Sequence, residues 1–368
     1  MRIIVIHNEI APYRVPLFEE LGKKHQVTVI FGKKKSSWRL WGISSGKNFE
    51  WSILQGIKLG DYVINMPTPK LFKKIKNSDV IIIADNVDIY PLVVFSTLFA
   101  WIAKKPILMW VGHLDTDYML KVRKLKIIDE AIKKMLYLLA DSFIVYSSKS
   151  RNFLLKREVK PHKIAPGTTQ YYPQELLPKI SLEGKKNLKK DWRLQVLALG
   201  YFEKMKGFEY LIRALCGIEK IKLTLAGSGR YEDALKKEAK KCKNIEFPGY
   251  VDGKIKTRIY LSSDVFVLPT LHDAWGFVVN EALYYGVPVI ITKDAGASDV
   301  IINRKNGFIV EPQDSKAIRR ILLHLVENRK TLKKMKVMAR KTGKELVDIS
   351  KGVKTVQKGI ERAMELHR

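Results

Sequence analysis

Cysteine is nearly absent: the 368 residues hold two, Cys216 and Cys242. Two thiols cannot build a disulfide framework or a four-thiolate zinc site, and a reducing cytosol is the expected compartment. Long apolar runs are missing as well. No stretch reaches the roughly 18–20 apolar residues that span a bilayer. The nearest, 89–103, follows Asp85 and Asp88, is too short, and reads as a buried helix. The opening run Ile3-Ile-Val-Ile6 is followed by His7, Asn8 and Glu9, which does not fit a signal peptide. Acidic residues are in deficit, 37 against 67 Lys and Arg, for a net charge of +30. That excess suits a polyanion: nucleic acid, an anionic membrane or a phosphorylated substrate. It is spread over both halves rather than gathered in a tail, and no RNP-type signature is present, so nucleic acid is not the expected partner. A Lys- and Glu-rich chain with little Cys or Gln also fits a heat-loving source. Neither a 20–50-residue repeat nor a low-complexity tract is found.

The chain is 46 % hydrophobic, which excludes disorder, and its length calls for two domains. Short apolar runs at 2–6, 27–31, 80–84, 107–111 and 142–146 alternate with helical periods at 14–23, 89–103 and 121–139. Such alternation predicts a parallel sheet covered by helices on both faces. The pattern lapses over about 165–192, where Pro166, Gly167, Pro173, Pro178 and Gly184 fall among lysines. It restarts with strands at 194–199, 222–226, 265–268, 289–291 and 307–310. Helices are expected at 207–215, 231–240, 254–262, 276–285, 315–327 and from 329 to the C-terminus. The predicted fold class is α/β, with two Rossmann-like doubly wound domains facing across a cleft. Ligands bind at the strand C-terminal ends of such sheets.

The segment Leu268-Pro-Thr-Leu-His-Asp-Ala-Trp-Gly-Phe-Val-Val-Asn-Glu-Ala-Leu283 is the most informative. A strand ends, and a helix is expected to begin near Gly276 with Asp273 as its cap. The backbone N–H groups of Trp275, Gly276 and Phe277 would then face the cleft, a favourable place for phosphate. Glu281 can accept two hydroxyl donors from a ribose or sugar. The bland alternative is a capped helix with Glu281 as a solvated or core-edge carboxylate.

At this point the sequence resembles the GT-B glycosyltransferases, in particular their large retaining family GT4, glycosyltransferases group 1. Asp273 and Glu281 match the family's E-x7-E pair, with Asp in the first place. Trp275-Gly-Phe-Val-Val-Asn-Glu-Ala-Leu-Tyr-Tyr-Gly-Val-Pro-Val-Ile290, Leu199-Gly-Tyr-Phe-Glu-Lys-Met-Lys-Gly207, Leu225-Ala-Gly-Ser-Gly229 and Asn306-Gly-Phe-Ile-Val310 extend the likeness over the C-terminal half. Ala11-Pro-Tyr-Arg-Val-Pro-Leu-Phe18 is similar to the opening of some members. The resemblance implies an acceptor-binding domain over 1–170, a linker over 171–192, a nucleotide-sugar domain over 193–345, and a final helix over 346–368 crossing back to the first domain.

It also implies roles. Glu281 would bind the nucleotide ribose, and Asp273 the donor-sugar hydroxyls, with the amides of Trp275, Gly276 and Phe277 on the diphosphate. Lys206 would neutralise the leaving diphosphate, where negative charge grows. Gly200 ends the first strand of that domain. Tyr250 and Val251, in Phe247-Pro-Gly-Tyr-Val251, would line the nucleobase, and His113, in Val111-Gly-His-Leu-Asp115, would sit by the transferred sugar. One departure stands out: Tyr201 occupies the place of the family's second phosphate cation, an arginine, and Lys204 has the wrong offset to replace it. Arg14 follows the first strand, where many members carry a Gly-rich turn that this chain lacks, and reads as a helix-surface or structural arginine.

No cofactor beyond the donor, a UDP- or GDP-sugar, and no metal is expected. Asp115-Thr-Asp117 spells a metal-binding triplet of the other glycosyltransferase fold, but it is short enough to arise by chance. Leu225–Gly229 lacks the third glycine of a dinucleotide fingerprint, which argues against NAD. Trp38, Trp41 and Trp51, set among cations, suit sugar stacking or a membrane interface, or simply a core. The basic period over 121–139 suits either an anionic membrane or packing on the sheet. The activity expected is transfer of a sugar, with retention, to a hydroxyl of a glycan or lipid-linked acceptor, in the cytoplasm or peripherally on the membrane's inner face. Alternatives are a phosphorylase or epimerase using the same site, and an RNA- or anionic-lipid-binding protein with a decayed site.

Overall fold

The computed structural model describes residues 1–34, 46–59, 62–116, 126–177 and 192–367. These form two compact units, one of residues 1–113, 123–171 and 349–368 and the other of residues 114–122 and 172–348.

The first unit is built on β1 (Arg2–His7), α1 (Val15–Gly22), β2 (Gln26–Phe31), β3 (Glu50–Ile53), β4 (Gly56–Leu59), β5 (Tyr62–Asn65), α2 (Pro69–Lys76), β6 (Val80–Ala84), α3 (Tyr90–Ile102), β7 (Ile107–Val111), α4 (Lys126–Leu139), β8 (Ser142–Val145) and α5 (Ser148–Leu155). The β-branched runs of β1 and β6 are buried on both faces, as a central parallel strand requires. Six described strands run parallel in the order β3-β2-β1-β6-β7-β8, the doubly wound arrangement. Separate apolar clusters cover the two faces of the sheet. Thr68 and Ser147 cap α2 and α5 through their hydroxyls.

The second unit contains β9 (Leu194–Leu199), α6 (Phe208–Leu215), β10 (Ile221–Ala226), α7 (Glu232–Glu238), β11 (Ile245–Glu246), α8 (Gly253–Ser262), β12 (Val265–Leu268), α9 (Val278–Tyr284), β13 (Val289–Thr292), β14 (Gly307–Val310), α10 (Ser315–Glu327) and α11 (Arg329–Glu345). Its described strands are again all parallel, in the order β11-β10-β9-β12-β13-β14. At the end of β10, Gly227 has φ +144°, and a Cβ there would lie 1.9 Å from the Gly200 carbonyl oxygen. Only glycine lets these two loops close over the sheet edge.

The final helical period is two helices rather than one. After α11, the Leu346 carbonyl accepts from the Tyr172 N–H at 2.9 Å, and α12 (Ile349–Leu366) belongs to the first unit. There Ser142 donates to the Gly359 carbonyl at 2.8 Å and Arg362 to that of Ile164 at 2.8 Å. A Cβ on Gly359 would meet Ile144 at 2.7 Å, so the small residue sets how closely α12 lies on β8. The sequence periods did not foresee β3, the β4–β5 hairpin, α2, α5 or β11. Each is short or polar on most of its surface, which weakens a period-based signal. Among the described residues no helix is long and apolar enough to cross a membrane.

Cys216 and Cys242 are joined in a disulfide, a pairing not expected for a reducing compartment. Intracellular disulfides are rare in mesophiles, with hyperthermophile proteins as the exception. The bond ties the end of α6 to the segment after α7 and closes a loop with a sequence separation of 26. Loop entropy alone gives it about 3.5 kcal/mol. The double variant C216S/C242S is therefore expected to melt roughly 7–14 °C below the parent in calorimetry. Reductant should lower the parent's melting temperature and leave that of the variant unchanged.

Candidate functional site

In the second unit, the 204–206 turn after β9 ends in Gly207 at φ +63°, which turns the chain into α6 and holds Lys206. Lys206 Nζ lies 2.6 Å from Asp273 Oδ2, with side chains 20 % and 16 % exposed. Two residues singled out separately in the sequence thus form one half-buried ion pair. Asp273 Oδ1 accepts the Trp275 N–H at 3.2 Å. This corrects two expectations. The Trp275 amide is engaged by Asp273 rather than facing a ligand. Asp273 does not cap the helix, because α9 begins at Val278 with Phe277 in the N-cap position and no side-chain cap. Trp275 itself is buried, and its indole N–H donates to Asn280 Oδ1 at 2.8 Å. Gly276 has φ +96°, and a Cβ there would come within 2.8 Å of Leu268, so glycine is required on both counts.

Glu281, in the first turn of α9, is buried rather than solvated. Its Oε1 accepts from Lys256 Nζ at 2.9 Å and its Oε2 from the Tyr260 hydroxyl at 2.9 Å. The Glu281 charge also acts on the Tyr172 hydroxyl. Burial opposes the charge on Lys256, but Glu281 and Asp252 outweigh it and raise the ammonium's pKa. Burial first, then the Glu281 charge, push the Tyr260 and Tyr172 hydroxyls up. Sequence reasoning missed Lys256, Tyr260 and Tyr172. The available signal was the i, i+4 spacing of Lys256 and Tyr260, which puts both on one face of α8.

Gly200 lies at the end of β9, and its N–H donates to the Ala226 carbonyl at 3.1 Å. Val251 is buried and Tyr250 is 44 % exposed. Asp252, Tyr201, Lys256 and Glu281 all act electrostatically on the Tyr250 phenol, whose pKa is raised mainly by burial. Lys204 is exposed. Beside Asp273, His272 Nδ1 lies 3.1 Å from Thr116 Oγ1. Phe277 packs against Tyr172 with ring centroids 5.8 Å apart.

His113 is in the first unit, after β7. Its Nε2 is 3.3 Å from the buried Asp85 Oδ2, which also accepts from the Tyr137 hydroxyl at 2.5 Å. Burial pushes the Asp85 carboxyl up, yet His113, Lys133 and Tyr137 together bring it below the ordinary value. Arg14 is no helix-surface residue. It is buried, with its guanidinium 4.7 Å from the Trp110 ring and 4.9 Å from that of Tyr146, and it donates to Gln170 at 3.2 Å. Trp51 stands on β3, partly exposed. Trp38, Trp41, Asp117 and most of the expected 171–192 linker lie outside the described residues.

Residues 180–342 match the family described as Glycosyl transferases group 1. An uncharacterized glycosyltransferase of Methanocaldococcus jannaschii is 32 % identical over 157 residues, 40 % of each chain. A lipopolysaccharide core biosynthesis glycosyltransferase of Rhizobium meliloti is 31 % identical over 36 % of this chain and 39 % of that one. The match thus spans well under two thirds of these relatives' length. Among solved structures, Anabaena HepE in complex with UDP superposes with a TM-score of 0.75 at 16 % identity, covering 97 % of this chain and 98 % of that one. Sucrose-phosphate synthase from Thermosynechococcus elongatus gives 0.73 at 19 %, covering 97 % of each. At such identities the likeness establishes the fold, which is GT-B.

The Glu281 cluster sets an alkaline limit. Lys256 and the two tyrosines have folded pKa values raised above 10.5 and 10.0. Their contribution is complete below those values and is lost as pH rises through the folded ones. In denaturant unfolding, the stability advantage of the parent over E281Q is therefore expected to be constant from pH 7 to about 9.5 and to shrink above about pH 10. A constant advantage up to pH 11 would contradict the coupling.

Proposed function

We propose that this chain, whose residues 180–342 match the glycosyl transferases group 1 family, moves a sugar from a nucleoside-diphosphate donor to a hydroxyl acceptor with retention of configuration. The observation that carries the reading is the Lys206–Asp273 ion pair, joined through the Gly276 turn to the helix that bears Glu281. A cation, a carboxylate and a second carboxylate are what a phosphate, a sugar and a ribose require, in that order along the donor.

In this reading Lys206 offsets the charge that grows on the departing diphosphate, and Asp273 holds Lys206 in place while accepting sugar hydroxyls. Glu281 accepts the ribose hydroxyls, Tyr250 and Val251 flank the base, and His113 serves the transferred sugar. The protein's contribution is position and fixed charge, with no strong side-chain base. UDP is the nucleotide to test first, because HepE was solved with it. A glycan or lipid-linked acceptor fits the lipopolysaccharide role in the name of the Rhizobium relative.

One surface favours an acceptor at a membrane. The outward stripe of α4 runs Ile127, Ala131, Lys134 and Leu138, all exposed, with Ile127 at 86 % and Leu138 at 73 %. An apolar helix face on a chain of net charge +30 suits peripheral contact with anionic lipid.

A thermal-shift panel of UDP-, GDP- and ADP-sugars is expected to raise the melting temperature with one nucleotide class. E281A and K206M should abolish the rise, and its absence with all three classes would refute the reading. Co-sedimentation should capture the chain on phosphatidylglycerol vesicles but not on phosphatidylcholine, and I127E/L138E should weaken capture several-fold. Equal capture of parent and variant would exclude the α4 stripe.

A further inference from the structure

α3 carries no charged side chain over its 13 residues, yet it lies at the surface of the first unit. Its inner side, Leu92, Val93, Ser96, Thr97 and Ala100, is buried, and the apolar members join the cluster covering one face of the sheet. The helical period puts Pro91, Val94, Phe95, Leu98, Trp101 and Ile102 on the opposite side. None of these six is buried, and Trp101 and Ile102 are 59 % and 60 % exposed. A helix apolar all round belongs inside a core or a membrane. A bilayer span takes about 20 residues, so α3 cannot cross one. Its outer side calls instead for a cover that lies against it.

The surroundings are basic. α2 and α4 flank α3 on the same face of the sheet, with Phe72 of α2 against Phe99 at 5.1 Å and the Tyr90 hydroxyl donating to Asp129 of α4. α2 carries Lys70, Lys73, Lys74 and Lys76 and no acid, and Lys104 and Lys105 follow the end of α3. The acids of α4, Asp129 and Glu130, are paired with Lys133 and Arg157. A second copy of this chain would set lysine flanks against lysine flanks across a two-fold contact. A protein partner would read hydrogen bonds across its interface. The outer side of α3 offers one side-chain donor, the Trp101 indole N–H. Hydrocarbon asks for none, and an indole at headgroup level satisfies that N–H.

We propose that the outer side of α3 is a membrane-inserting face, seated in the acyl region of an anionic leaflet while the lysines around it meet the lipid phosphates. This deepens the peripheral contact proposed for α4 and rests on that reading, with α3 at the centre of the footprint and α4 at its edge. The face is about 16 Å long. It begins just after β6, at the strand C-terminal edge where such sheets bind ligands. His113 follows the adjacent strand β7 at the same edge. Val87, ahead of α3, is 37 % exposed and carries the apolar surface to that edge. An acceptor hydroxyl borne on a lipid headgroup thus reaches the edge from within the leaflet, which favours a lipid-linked acceptor.

Flotation of the full chain with phosphatidylglycerol and phosphatidylcholine vesicles tests the face. W101S/I102S is expected to partition onto phosphatidylglycerol about tenfold more weakly than the parent. K70Q/K73Q/K76Q should partition several-fold more weakly, with a shallower salt dependence. Phosphatidylglycerol brominated on its acyl chains should quench the parent's tryptophan emission, and W101F should lose much of that quenching while still bound. Undiminished quenching in W101F would overturn the α3 face. So would full partitioning of W101S/I102S where I127E/L138E is released, and the α4 contact would then stand alone. A parent that stays off every vesicle would remove the membrane reading as a whole. A parent that sediments as a dimer dispersed by W101S/I102S would overturn the proposal in favour of a second copy on this face.

Discussion

A carboxylate taken out of water persists as an anion only where donors replace the lost hydration. Glu281 meets that condition with the Lys256 ammonium and the Tyr260 phenol, and much of the second unit is arranged to keep them there. The i, i+4 pair Lys256 and Tyr260 fixes which face of α8 turns inward. Asp252 caps α8, accepting from the Gly253 N–H at 2.7 Å, and adds negative charge near Lys256. The Tyr260–Tyr285 stack joins α8 to the end of α9, and Thr257 lies 3.2 Å from the Tyr285 hydroxyl. Tyr172 brings in the chain where it enters this unit, and its N–H meets the Leu346 carbonyl where the chain leaves it. One buried charge therefore joins two helices of this unit.

The Lys206–Asp273 pair works under a looser constraint. Its partners keep 20 % and 16 % exposure, so water screens part of the attraction and either side chain can turn to another partner. The aspartate, one methylene shorter than the glutamate usual in the family, lies within a 2.6 Å ion pair, and its other oxygen fixes the Trp275 amide. The turn over 273–276 is thus stiffened by an Asx-type bond, a buried indole and a left-handed glycine before any ligand arrives. A phosphate that meets so rigid a loop loses little by ordering it.

What the sequence made legible follows from how far each signal reaches. The strands β1, β6, β7, β12 and β13 are mainly apolar runs buried on both faces, and a local window detects such runs. So does the motif order 206, 273, 281, because a strand, turn and helix place those residues within one segment or at adjacent strand ends. The donors to Glu281 were not legible in this way, since they come from α8, 25 and 21 positions upstream. A lysine among 67 basic residues carries no mark of the one carboxylate it serves. The pairing of Cys216 with Cys242 was hidden for the same reason: two thiols in a basic chain predict a compartment, and only the approach of α6 to the segment after α7 turns them into a bond. For Arg14 the sequence left a helix surface and a structural place open; the structural one holds, because Trp110 and Tyr146 supply faces on which a guanidinium can be buried.

Tyr201 shows how a departure from a family pattern can be read physically. In the proposed reading, a phenol in place of an arginine leaves one positive charge fewer for a diphosphate, and a lone lysine meets such a ligand poorly. Either the site has lost its ligand, or another cation has moved within reach. Burying an ion pair rarely adds stability over a hydrophobic replacement, so stability alone does not account for the enclosed pair of Lys256, on α8, with Glu281.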